Sequence, residues 1–250
     1  MIGGDDAASS RGRSLEELIA SGDSKDLLLA AADQGLSEDL ALKLLNHREL
    51  PGRALELLAK NASAMKHGRV LTGIVMHPRT PRFVSLPIAN RLFVFELMQI
   101  ALSPRVATDV KVATDNAIIA RLESVSAGER LALAKQGSTR LAGALLNDPE
   151  ARTIEAALDN PRMTEIEIVK ALKDEPMSQA LIALVCEHKK WSLRTEVQVH
   201  VLKAAQTPLA KAIVMAEKLP PSIVSDVLKN SRLPVPVRAY LLELQARRKG

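Results

Sequence analysis

Three things are scarce in this chain, and each scarcity excludes a class of protein. Cysteine occurs once, as Cys186, so neither an intrachain disulfide framework nor a cysteine-rich zinc site can hold the fold. Phe83, Phe93, Phe95, Trp191 and Tyr240 are the only aromatic side chains. The core must therefore be built from Leu, Ala, Val and Ile, whose modest size lets helices approach closely. Long apolar runs are missing too. The longest, Leu86 to Leu102, is broken by Asn90, Arg91, Glu96 and Gln99, and reads as a buried helix pair rather than a membrane span. The first residues, Met1 to Asp6, carry acids where a signal peptide needs bases. A soluble, cytoplasmic protein with no membrane insertion is the expectation.

Charge is present in quantity but unevenly spread. The 34 Lys and Arg against 29 Asp and Glu leave a net +5. Residues 1–50 are net −5, residues 51–104 net +5, residues 105–175 net −2 and residues 176–250 net +7. A basic excess of this size suits an acidic protein surface, nucleic acid or anionic lipid, and selects none of them.

Apolar residues recur at helical spacing nearly from end to end. Residues 1–13 are small, polar and charged and are expected to form a disordered tail. From Ser14 to the C-terminus, short helices of 8–15 residues alternate with loops of 1–5. One of them is drawn continuously over 106–124. Only Glu196-Val197-Gln198-Val199-His200-Val201 alternates like a strand. Val197, Val201, Ala204 and Ala205 also fit a helical face, and helix is preferred because a lone strand would have no partner.

A five-residue element closes many of these helices. It reads His47-Arg48-Glu49-Leu50-Pro51, His77-Pro78-Arg79-Thr80-Pro81, Ser103-Pro104-Arg105-Val106-Ala107, Asn160-Pro161-Arg162-Met163-Thr164 and Asn230-Ser231-Arg232-Leu233-Pro234. Weaker copies start at Asn147 and Ala204, giving spacings of 30, 26, 44, 13, 44 and 26 residues. Asn tolerates the left-handed conformation at a helix end, and His can cap the last carbonyls. Pro stops the outgoing helix. A fifth-place Thr or Pro starts the next helix as N-cap or N1. The unit is helix, tight turn, helix, and such units must stack to bury their apolar faces.

Val75-Met76-His77-Pro78-Arg79-Thr80-Pro81 and Ala156-Ala157-Leu158-Asp159-Asn160-Pro161-Arg162-Met163-Thr164 resemble the aliphatic-x-Asn-Pro-x-Thr-Pro turns of bacterial leucine-rich-repeat-variant and HEAT-like repeats. The resemblance covers most of 37–250. It implies an all-α fold, an irregular α-solenoid of stacked antiparallel helix pairs formed as a single domain over 14–250, and use as a binding scaffold. The iron–sulfur site attached to some leucine-rich-repeat-variant proteins needs a cysteine cluster, which this chain lacks, and no cofactor is expected.

Candidate binding residues come from the turns. Arg79, Arg105, Arg162 and Arg232 hold the third place of the element, with Arg48 one place earlier in its copy and Arg82 just beyond its own. Aligned turns would form a basic ridge able to grip carboxylates or phosphates. The plainer reading is that Arg near a helix C-terminus complements the dipole. Lys189, Lys190, Trp191 and Arg194 form a second candidate, since Trp among cations can anchor a partner or stack on a base; a packed inter-repeat wedge is the preferred reading of Trp191. Walker, dinucleotide, Gly-x-Ser-x-Gly and His-Glu-x-x-His motifs are absent. The expected function is non-catalytic binding of an acidic protein. Nucleic-acid binding, including a HEAT-like DNA-repair glycosylase, is the alternative.

Overall fold

A computed structural model describes residues 13–174, 178–204, 206–229 and 233–248. Among these residues are seventeen α-helices, four one-turn 3-10 segments and no strand, the all-α class expected. None of the helices is long and apolar enough to cross a membrane. The chain divides into two compact units, Met1–Arg121 and Leu122–Gly250.

The first unit contains α1 (Leu15–Ser21), α2 (Ser24–Ala32), α3 (Glu38–Leu45), α4 (Gly52–Lys60), α5 (Gly68–Met76), α6 (Arg82–Ala89), α7 (Val94–Leu102) and α8 (Thr108–Ile119). Helix α1 touches α3, α3 touches α5, and α5 touches α7; on the other side α2 packs along α4 and α6 along α8. Helices two apart in the chain thus adjoin, and the aliphatic side chains between them are buried. Leu44, Leu55, Leu58, Ile74, Leu97 and Ile100 are completely buried there. Contact is close at α5: a Cβ on Gly73 would lie 2.8 Å from Leu45 Cδ1 of α3, so a larger residue there would make the Leu45 side chain shift.

The second unit contains α9 (Ala127–Gln136), α10 (Thr139–Ala144), α11 (Ala151–Leu158), α12 (Glu165–Ala171), α13 (Gln179–Glu187), α14 (Thr195–Lys203), α15 (Leu209–Lys218), α16 (Pro221–Leu228) and α17 (Val235–Arg247). The same alternation holds: α9, α11 and α13 adjoin in order, as do α10, α12, α14 and α16, and α15 lies along α17. Leu133, Leu141, Leu146, Ile154, Ile168, Leu181 and Val197 form its core.

Local chemistry sets the helix starts. Ser14, Asp23, Ser37, Ser126 and Ser138 accept a backbone N–H of the first turn. Pro51, Pro81, Pro208 and Pro234 are N-caps, placing the fifth residue of the turn element as expected. The helix ends differ from expectation in one respect. Gly22, with φ 69°, is the only described residue in the left-handed region, so no described asparagine uses it. The turn asparagines act instead through their carboxamides.

Two local readings are corrected and a third is met. Arg13 is not part of a loose tail: its guanidinium pairs bidentately with buried Asp26 at 2.7 and 3.0 Å. Residues 1–12 of the expected tail lie outside the described residues. The helix drawn over 106–124 stops at Ile119 and a 3-10 turn follows; Arg121, just past its end, donates to the carbonyls of Leu92 (2.8 Å) and Asn90 (2.6 Å). The segment 196–201 is helical as preferred, with Val197 and Val201 buried and Gln198 donating to the Ser192 carbonyl at 2.8 Å.

Leu158, 2% exposed on α11, tests this register. Leu158→Ala should cost about 2–5 kcal/mol in urea unfolding. A loss within about 0.5 kcal/mol would be the surface value and would place the residue outside the core.

Candidate partner-binding surfaces

A helix leaves its last four carbonyls without intrahelical donors. With helices this short, that is a large share of the backbone, and the turns supply the missing donors. Asn61, at the end of α4, is 1% exposed and uses both ends of its carboxamide. Its Nδ2 donates to the carbonyls of Ala31 (3.2 Å) and Asp33 (2.7 Å), and its Oδ1 accepts from Ser63 N–H and Ala64 N–H. Asn160 repeats the device: Nδ2 donates to Ala134 (2.7 Å) and Gly137 (3.3 Å), and Oδ1 accepts from Arg162 N–H at 2.7 Å.

Histidine substitutes for asparagine in two turns. His77 accepts from Arg79 N–H on Nδ1 and donates from Nε2 to the His47 carbonyl at 3.1 Å, so its proton sits on Nε2. In His188, Nδ1 accepts from Lys190 N–H and Trp191 N–H, while Nε2 meets the Asp159 carboxylate at 3.1 Å. In all four cases one ring or amide edge closes its own turn and the opposite edge grips a turn 23–30 residues earlier. Only a planar group with a donor and an acceptor on separate atoms can do both.

Several candidate cations join this capping. Arg79 donates to the Glu49 carbonyl at 3.1 Å and pairs with the Glu49 carboxylate. Arg162 donates to the Gln136 carbonyl at 3.4 Å. Arg82 bridges α6 to Asp109 of α8 at 2.5 Å. Arg121 and Arg248 work the same way on earlier helix ends, Arg248 on the carbonyls of Leu219 and Glu217. Sequence inspection missed these two because neither stands in the turn element; what marks them is an Arg 29–31 residues after a helix end. Arg232 lies outside the described residues.

Trp191 is corrected as a surface anchor. It is 2% exposed, its Nε1–H donates to the Leu158 carbonyl at 2.8 Å, and the Lys190 ammonium lies 3.9 Å over its ring. The indole is a wedge between turns, and its ring face is not offered to a base. Arg48, Arg105, Lys189 and Arg194 remain exposed and have no side-chain partner among the described residues.

The most distinctive surface lies in the first unit. From Leu57 to Phe95 there is no carboxylate, against six Lys and Arg, and all three phenylalanines fall in that stretch. None is buried: Phe83 is 68% exposed and Phe93 79%. Phe83 and Leu86 stand one turn apart on α6, and Val112 is exposed on the adjoining α8, joined by the Arg82–Asp109 pair. Beside them the turns ending α5 and α7 frame a cleft of about 340 Å³ lined by Val75, Pro78, Arg82, Pro104, Arg105 and Val110, among others. The acid-free run was legible as a composition shift, but the exposure of its phenylalanines was not.

Groups suited to chemistry are otherwise occupied. Asp148 lines a cleft of about 330 Å³, yet it accepts Arg130 Nε–H at 2.7 Å and Glu150 N–H at 2.9 Å, a structural ion pair. Among the described residues no group of three His, Cys, Asp or Glu side chains could hold a metal. Burial pushes the Cys186 thiol up to about 11, with Lys211 opposing and Glu187 adding to the shift. Compared with protein-family models, curated proteins and solved structures, the chain matches none.

Two outcomes follow from this chemistry. Asn160→Ala strands two buried carbonyls and an N–H and should cost about 2–4 kcal/mol in urea titration. Arg162→Ala removes one long, exposed bond and should cost under about 1 kcal/mol; equal losses would contradict the capping account. Burial favours the neutral thiol, so Cys186 in the folded chain should react with iodoacetamide about 100-fold more slowly than in urea near pH 8. The gap should close as pH rises from about 9 through about 11, where the favoured neutral form is lost.

Proposed function

We propose that this chain is a non-catalytic helical-repeat scaffold, an irregular α-solenoid of HEAT-like type, that binds an acidic protein in the cytoplasm. The stacking of helices two apart within each unit, and side chains that grip turns 23–33 residues earlier, support the solenoid reading. So does the resemblance of the His77 and Asn160 turns to leucine-rich-repeat-variant repeats. A lone, half-buried cysteine suits a reducing compartment.

One observation carries the binding role. Phe83, Leu86 and Val112 are exposed on adjoining helices, in and beside a stretch of 39 residues without a carboxylate. Exposed aromatics flanked by arginine are the composition of interface hot spots. Arg105, with no described partner, lies at the rim of the neighbouring cleft and can meet a carboxylate without first breaking a native pair. The basic excess of that stretch draws an acidic partner in and repels a basic one.

The test is affinity capture from the native lysate, quantified by mass spectrometry, with wild type, Phe83→Ser/Leu86→Ser and Arg105→Glu. An acidic protein should be captured by wild type and fall about tenfold or more with each variant while helicity is unchanged. Capture that ignores both variants refutes this surface. Duplex DNA binding that collapses between about 50 and 200 mM salt would replace the protein partner with nucleic acid.

A further inference from the structure

The second unit carries a different kind of surface. Helices α12 and α14 lie side by side, and between them runs a groove of about 520 Å³ lined by Glu165, Ile166, Val169, Lys170, Lys173 and Glu196. Ile166 is 77% exposed, among the most exposed aliphatic side chains of the protein. Folding has no use for it in that position, since each large aliphatic left in water forgoes about 1.5–3 kcal/mol. Around this apolar centre stand two carboxylates and two ammonium groups. None of the four side chains has an ion-pair partner among the described residues, although opposite charges share the groove.

We infer that this face is a homodimer contact, with a second copy of the chain as its occupant. The argument is charge complementarity. Glu165 and Val169 on α12 and Lys173 in the turn that follows it are spaced i, i+4, i+8 and all line the groove, acid at one end, base at the other and an apolar residue midway. A two-fold axis at Val169 runs the two α12 helices antiparallel. Glu165 of each copy then faces Lys173 of the other, and both Ile166 side chains enter the shared apolar centre. Lys170 and Glu196 provide a second reciprocal pair of opposite sign. Such a face is its own complement, the condition for an isologous interface. A uniformly acidic or basic partner would leave half of its rim mismatched.

The rest of the chain favours the same assignment. With net charge +5, copies repel over most of their surface, and a face with balanced charge is where they can meet. The face is small: α12 has seven residues and α14 nine, so they are about 10 and 14 Å long. That is well below the roughly 800 Å² per partner of a standard interface, so the dimer is a weak one that forms at high protein concentration. This surface is distinct from the Phe83 face, and either can fail without the other.

Sedimentation velocity of the full chain, from about 2 to about 200 μM in about 0.15 M NaCl, reads the outcome directly. Wild type should pass from monomer to dimer across that range. Ile166→Glu should stay monomeric, with unchanged circular dichroism showing that it folds. Glu165→Lys and Lys173→Glu, made singly, should each weaken the dimer about tenfold, and the double exchange should recover wild-type association. A wild type that stays monomeric at the top concentration overturns the proposal. So does a dimer indifferent to Ile166→Glu, or a double exchange no better than the single ones.

Discussion

The constraint on which this structure depends is the supply of hydrogen-bond donors to helix C-termini. Helices of six to thirteen residues leave up to four carbonyls each without an internal donor, and many of these ends lie where water is scarce. A buried, unpaired carbonyl costs about 1–3 kcal/mol, enough that a few left unpaired would cancel the stability of a domain. The chain answers with planar side chains that work in two directions. Asn61, His77, Asn160 and His188 each close their own turn with one atom and hold an earlier turn with another. Trp191, Arg121 and Arg248 add one-way donors to the same kind of target. The bonds that finish one helix therefore also fix the position of its neighbour.

This economy explains the distribution of charge. An arginine beside a helix end is drawn to the nearest unsatisfied carbonyls, as Arg79, Arg121, Arg162 and Arg248 are. Cations committed in this way contribute little to recognition, because engaging a partner would first uncover a helix end. Outside the network stand the candidate cations Arg48, Arg105, Lys189 and Arg194, and apolar side chains the core did not use. The core is almost wholly aliphatic. Trp191 is the one aromatic taken inside, and its indole N–H goes to a carbonyl. The phenylalanines were free to serve the surface.

The amino-acid sequence by itself determined the helices and their punctuation. Proline at 51, 81, 208 and 234 forces a break whatever surrounds it, and aliphatic spacing identifies the buried stripe of each helix, so the ends of α4, α6, α11 and α17 could be placed within a residue or two. Local rules ran out where the deciding atoms are distant in sequence. Nothing near residue 120 says that Arg121 will hold the carbonyls of Asn90 and Leu92. Arg13 reads as tail until Asp26 is seen beside it. The choice between strand and helix at 196–201, the burial of Trp191 and the exposure of Phe83 and Ile166 all depend on which helix lies next to which. Backbone conformation is governed by near neighbours and is written in the local sequence. Exposure and pairing are governed by packing between residues some thirty positions apart, and only the tertiary structure decides them.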